Sequence, residues 1–454
     1  MFRVKAHHAL TSDGWKDDID VTVTANGRIA DISPQHNAAA YEVDILLPAP
    51  VNLHSHAFQR ALSGLTEGPS IPEDNFWTWR QLMYKFLEQL TPERIEAIAE
   101  QAFMEMAEAG YASVVEFHYL HHNREGHAYT KLSETSERIM SAALSTGVGL
   151  TLLPVLYEYG GCDHRELDGS QKRFGNTKKQ FEELFLQAQD ELAHGPEDWV
   201  IGAASHSLRA VDCAGLALAH ELTGSQPYHI HLAEQTSEVS EVKSYLGCHP
   251  VEWMLNNFPI DARCCFIHCT QMTSEETREL AKSNAIVGLC PITEANLGDG
   301  HFKGDEFLQH AGCYGIGTDS NVQIGLWEEL KMLEYSQRLH HKRRSVLRRH
   351  PHSTGRSLFE AALTGGARAS GRQSEHIKEG GWADMIGIRK DNEFLVNRDS
   401  DSILDSLIFS GAGSRCLCDV WSAGRHIVKN GCHIERTRIV TNFTRTLKEL
   451  EESL

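Results

Sequence analysis

The chain has 454 residues, 41% hydrophobic and 23% charged, with a formal net charge of −19 at neutral pH. Its length supports a large core, and its composition is that of a folded globular protein. The acidic balance excludes a broad nucleic-acid face, because few cations are left to neutralise phosphates. An anionic small molecule stays possible, since a few arginines inside a pocket override the global field. No apolar run approaches a membrane span, and the N-terminus lacks the charged-then-apolar pattern of a leader. A cytoplasmic protein with no membrane partner is expected. The eleven cysteines are scattered, form no C-x-x-C pair and read as reduced thiols.

Residues 1 to about 44 alternate apolar and polar, as in Ile19-Asp20-Val21-Thr22-Val23, around the turn Ala25-Asn26-Gly27. That is hairpin chemistry. From Ile45 the pattern changes to strand, loop and helix, repeated. A first strand is predicted over 45–53, ending in His54-Ser55-His56. Thr91-Pro92-Glu93 then opens a helix with a cap, a proline at its first position and an early acid. Ile95, Ile98, Ala102 and Met106 form its apolar stripe, and Gly110 ends it. Further strands are predicted at 112–117, 150–156, 200–204, 228–232, 264–267, 285–289 and 314–317, with helical patterns between most of them. Eight units whose strands are apolar on both faces predict a (β/α)8 barrel.

Past about residue 372 short β runs return, at 382–387 and 420–428, and the last dozen residues read as a charged helix. The expected architecture is an α/β fold. The barrel, residues 49–371, is inserted into a small β-sandwich built from residues 1–48 and 372–454.

Chemistry in such a barrel sits at the C-terminal strand ends. The first strand ends in His54 and His56. Side chains two apart on a strand point the same way, so these imidazoles can converge as half of a metal site. The fifth ends in His229-Ile230-His231-Leu232-Ala233-Glu234, the sixth in His268, and the eighth in Gly317-Thr318-Asp319-Ser320-Asn321. Each alone is a weak signal. Four such ends in chain order point to metal-dependent chemistry.

His-x-His, His-x-x-Glu, His and Asp in this order resemble the amidohydrolase superfamily, and within it the mononuclear deaminase branch. The resemblance implies that His54, His56, His231 and Asp319 hold one divalent metal, usually Zn2+. It implies that His268 assists at the metal's water and that Glu234 shuttles protons. The binuclear branch carries a bridging lysine at the fourth strand end. Here that end reads Ala204-Ser205-His206-Ser207, which favours one metal. Zinc brings the pKa of a bound water towards neutrality. Asp319 can accept its proton, Glu234 can protonate a leaving nitrogen, and His268 can stabilise the oxyanion.

Three further strings bear on the substrate: His54 to Arg60, Phe76-Trp77-Thr78-Trp79-Arg80, and His206-Ser207-Leu208-Arg209-Ala210-Val211. They resemble the formimidoylglutamate deiminase family. A connection as long as the segment with Arg80 is usually functional or disordered, and its aromatics argue against disorder; it reads either as a packed surface lid with Arg80 at its rim or as a lid that lowers Arg80 onto an anionic substrate. The resemblance implies hydrolysis of N-formimidoyl-L-glutamate to N-formyl-L-glutamate and ammonia in histidine degradation. It further implies substrate contacts from Gln59, Arg80, Tyr119, His206 and Arg209, and a homodimer. Two carboxylates on the substrate suit guanidinium forks. A purine or other heterocycle deaminase is the alternative within enzymes, and a barrel that has lost catalysis and serves as a scaffold is the alternative outside them.

Overall fold

Pro48 and Pro50 divide the run predicted as one strand over residues 45–53. Tyr41–Pro48 belongs to the small sheet, and Val51–Ser55 opens the barrel. A proline has no N–H to give a ladder, so two prolines around Ala49 end one sheet and let the chain start another. The computed structural model describes residues 1–34, 39–65, 67, 76–372 and 374–452. The side chains of Phe76, Trp77, Thr78 and Gln81 lie outside the described part, so the aromatic start of the predicted lid is known only as backbone.

The barrel strands are Val51–Ser55, Ser113–His118, Gly149–Leu156, Ala203–Ser207, Tyr228–Leu232, Cys264–His268, Ile286–Leu289 and Cys313–Ile316, neighbours in that order. Every adjacent pair is parallel. Their residues are almost all buried, as a sheet covered by helices requires. Ser55 bridges Asp319, and the His56 N–H donates to the Asp319 carbonyl at 2.9 Å, so the last strand end meets the first. The expected (β/α)8 barrel is present. Helix Pro92–Ala109 follows the sequence signals: Thr91 caps the Arg94 N–H at 3.3 Å, and Gly110 ends the helix at φ 105°.

The N-terminal mouth of the barrel is plugged by the end of helix Thr354–Ser370. His229 Nε2 donates to the Ala369 carbonyl at 2.8 Å, and the Thr151 hydroxyl donates to the Ser370 carbonyl at 2.9 Å. Only the C-terminal mouth is left for chemistry.

Both chain ends build the second domain. Its strands run Cys432–His433, Arg425–Lys429, Leu417–Ser422, Met385–Ile388, Tyr41–Pro48, Phe2–Thr11, Gly14–Val23 and Ile29–Pro34 in space. The far edge returns to the residues before Met385: the Ile29 N–H donates to the Gly381 carbonyl and the Ala383 N–H to the Gly27 carbonyl, each at 2.9 Å. Val4, Ile19, Val21, Val43, Met385 and Trp421 fill the space enclosed. A buried ionic knot ties this domain to the barrel. Arg372 binds Asp384 through Nε at 2.7 Å and Asp198 through Nη1 at 2.8 Å, and Arg425 grips both oxygens of Asp198 at 2.7 Å. Among the described residues no helix is long and apolar enough to cross a membrane.

Candidate metal centre and substrate cavity

The strand ends bring the predicted ligands together. Asp319 Oδ1 lies 3.3 Å from His54 Nε2 and 3.2 Å from His56 Nε2. His231 Nε2 is 3.1 Å from His54 Nε2. The ring of His268 stacks on that of His231, with centroids 5.6 Å apart and an interplanar angle of 11°. One donor atom each from His54, His231, His268 and Asp319 fits within 4.8 Å of the others. His56 adjoins this group through its contact with Asp319, so five side chains meet where four ligands were expected.

The outer nitrogens of His56 and His231 are tied down. His56 Nδ1 donates to the Phe117 carbonyl and His231 Nδ1 to the His206 carbonyl, each at 3.0 Å. With the proton fixed on Nδ1, each Nε2 presents a lone pair inward, the tautomer a metal ligand needs. Nitrogen lone pairs gathered around a carboxylate, all buried, fit a divalent cation.

The backbone is shaped to hold these tips. Asn52 and Thr318 bond reciprocally: the Asn52 amide donates to the Thr318 hydroxyl at 2.7 Å, and the Thr318 N–H to Asn52 Oδ1 at 3.0 Å. The Asn321 amide donates to the Ser55 hydroxyl and the His56 carbonyl, each at 3.1 Å. Gly317 is required by close approach, since a Cβ there would sit 2.7 Å from the His54 carbonyl oxygen. His268 and Asp319 have φ of 71° and 45°. L-residues pay roughly 1–2 kcal/mol for that left-handed region, and such strain clusters at functional sites.

Burial sets most of the electrostatics. It drives His54 down to about 3 and His206 and His231 well below the usual imidazole range, with neighbouring cationic groups adding to the effect. His268 is the exception: burial lowers it, but Glu234, Glu294 and Asp319 outweigh burial and lift it to about 10. Glu234 is raised, first by burial, then by Asp319 and Glu238 against the opposing His268. Glu238 fixes the turn under Glu234, accepting the Ala233 and Glu234 N–H groups at 3.1 and 2.9 Å.

Above the cluster lies one cavity. Gln59, Arg80, Tyr119, His206 and Arg209 line it together with His56, His231, Glu234, His268 and Asp319. All five residues implied as substrate contacts therefore face the same space as the cluster. Arg80 comes from helix Phe76–Leu87, the segment read as a lid. Its Nη2 donates to the Tyr157 hydroxyl at 3.3 Å. The Gln59 amide donates to the Tyr119 hydroxyl at 2.8 Å, which leaves the buried Gln59 Oε1 without a partner. Arg209 Nε is buried and also unpartnered.

Trp79, Met83 and Tyr84 enter the cavity wall from the segment read as a lid, while Tyr157, Phe174 and Leu297 are walls that the sequence reading missed. Tyr157 was within reach, because it directly follows the third strand. His121, His122 and His229 do not join the site. They bond the carbonyls of Val155, Gly175 and Ala369 at 2.9, 2.7 and 2.8 Å.

Comparisons with known proteins agree with this geometry. The amidohydrolase family matches residues 45–426, and the N-terminal domain of formimidoylglutamate deiminase HutF matches residues 1–43. A formimidoylglutamate deiminase of Pseudomonas aeruginosa is 40% identical over 99% of this chain and 100% of its own. A 5-methylthioadenosine/S-adenosylhomocysteine deaminase of Bacillus cereus is 24% identical over 94% of each chain. The crystal structure of an amidohydrolase from Brucella melitensis superposes with a TM-score of 0.95 at 43% identity, over 99% of this chain and 100% of that one. An adenosine deaminase from Xanthomonas campestris with bound zinc shares the fold at a TM-score of 0.82 and 20% identity, over 99% of this chain and 98% of that one. A barrel carrying its histidines and aspartate on strands one, five, six and eight, over the residues the family matches, makes this chain a member of the amidohydrolase family.

Proposed function

We propose that the chain hydrolyses N-formimidoyl-L-glutamate to N-formyl-L-glutamate and ammonia. The observation that carries this reading is the pairing of two guanidinium groups, Arg80 and Arg209, with the histidine–aspartate cluster in one buried cavity. A dicarboxylate with an amidine-like carbon needs both features. The full-length relative of Pseudomonas aeruginosa bears this activity in its name.

In this reading His54, His56, His231 and Asp319 would hold one Zn2+, which when bound would supply a water of lowered pKa. Arg80 and Arg209 bind the substrate carboxylates, and Arg209 Nε gains the acceptor it otherwise lacks. Gln59 Oε1 accepts an N–H of the substrate, while Tyr119 and His206 wall the formimidoyl end. Asp319 Oδ2 takes a proton from the attacking water. Glu234 Oε1, 3.8 Å from His268 Nε2, delivers protons to the departing nitrogen. His268 Nε2 steadies the charge that develops on oxygen. The π bond of C=N opens as C–O forms, giving a tetrahedral carbon; the C–N bond then breaks as C=O forms, and the nitrogen, which has received both protons of the water, leaves as ammonia.

The same reading takes residues 49–371 as the catalytic domain, 1–48 with 372–454 as the second domain, and the working form as a cytoplasmic homodimer. The test is ammonia release from a panel of formimidoylglutamate, guanine, adenosine derivatives and cytosine. Turnover of formimidoylglutamate at least about 100-fold above the rest in kcat/KM, some 2.7 kcal/mol, supports it. Preference for a purine sinks it.

A further inference from the structure

His268 is held from behind by a carboxylate that the mechanism above does not use. Glu294 stands in helix Pro291–Leu297, after the seventh strand. Its Oε1 lies 3.3 Å from His268 Nδ1 and accepts the Cys290 N–H at 2.8 Å. Its side chain is 5% exposed and that of His268 is not exposed at all. The helix is pinned to the strand end that carries Asp319, because the Thr293 hydroxyl donates to the Thr318 carbonyl at 3.1 Å and contacts the Ser320 hydroxyl at 3.0 Å. On the other side of the ring, Nε2 is buried without a hydrogen-bond partner, 3.8 Å from Glu234 Oε1 and 4.0 Å from Asp319 Oδ2.

We propose that Glu294 is a positioning residue, which fixes the ring orientation of His268 so that Nε2 faces the reacting atoms. An imidazole can sit in either of two ring flips. A carboxylate accepting from Nδ1–H selects one flip, as outer carboxylates do for histidines in metal sites, and leaves Nε2 turned to the reaction. Glu294 can do this only if it is itself fixed, and the Cys290 N–H and the Thr293 contacts fix it. The role given to His268 rests on the proposed function; the Glu294–His268 contact does not.

The test is a double-mutant cycle on the metal-loaded enzyme. Glu294→Ala is expected to lower kcat by about 10- to 100-fold, the scale for removing an outer partner of a site histidine, with KM changed less than about threefold and metal content kept. In a His268→Ala background the same change should cost less than about threefold, since a residue that acts through His268 then has nothing to position. Glu294→Gln keeps an acceptor oxygen at Nδ1 and should recover most of the loss. Equal losses in both backgrounds, or a loss confined to KM, overturn the proposal. If Glu294→Ala does not fold, Glu294→Asp keeps the charge but withdraws the oxygen, and the same two outcomes decide. The cycle compares variants on whichever substrate the wild-type enzyme turns over. Failure of the formimidoylglutamate reading is thus seen in the wild type, and failure of the Glu294 proposal in the cycle.

Discussion

His231 Nε2 and His54 Nε2 face each other at 3.1 Å, while the proton of His231 is committed on its far side to the His206 carbonyl at 3.0 Å. At most one proton can lie between the two nitrogens, and a divalent cation takes its place naturally. Purified protein should therefore contain about one equivalent of divalent metal per chain, zinc in this reading. Elemental analysis should show most of it lost in His54→Ala and in Asp319→Ala. Two equivalents in the fully active enzyme would refute the mononuclear arrangement.

Glu234 should move protons and hold no metal. Its Oε1 sits 3.8 Å from His268 Nε2, and burial raises its pKa. Glu234→Gln keeps the shape and loses the proton. It should retain full metal content and lose kcat by roughly 100-fold or more, the scale of a positioned acid–base group. Near-normal turnover removes Glu234 from the reaction.

Arg80 and Arg209 should set the preference for a dicarboxylate. Truncating one partner of a desolvated charge pair costs about 2–5 kcal/mol. Either Arg→Met change should thus lower kcat/KM for formimidoylglutamate by roughly 30-fold or more. A small neutral formamidine should lose little further activity in the same variants. Equal effects on both compounds would make the two arginines structural.

The strand ends were legible because each rule acts locally. Two-residue alternation aims His54 and His56 together, and His231, His268 and Asp319 each end an apolar run. Glu294 was not legible: nothing in Pro291-Ile292-Thr293-Glu294 marks a carboxylate whose partner lies on another strand. Phe174 and Leu297 enter the cavity from loops and helix ends whose paths no periodicity encodes. The break at Pro48 and Pro50 is hidden in the pattern, since the apolar run continues on both sides.

Acid should loosen the join between barrel and small domain. Burial raises the Asp198 carboxyl, but Arg425 and Arg372 overcome this and hold it at about 2. A carboxylate lowered on folding stabilises the protein above its unfolded pKa, about 3.9, and that contribution fades as pH falls through about 2. The difference amounts to about 2 kcal/mol at neutral pH. Urea midpoints measured from pH 5 to pH 2 should fall more steeply in the wild type than in Asp198→Asn. Parallel curves would show that the ionic knot contributes nothing to acid sensitivity.

The hydrogen bond from the His56 N–H to the Asp319 carbonyl also orders events in time. A ribosome adds roughly 5–20 residues per second. Asp319 follows His56 by about 260 residues, so roughly 13–50 s of synthesis separate the two halves of the centre. Throughout that interval His54 and His56 are present without the strand that completes their site. The finished centre is thus a record of a completed chain: a fragment that stops before residue 319 carries the site's histidines but lacks the carboxylate around which they gather.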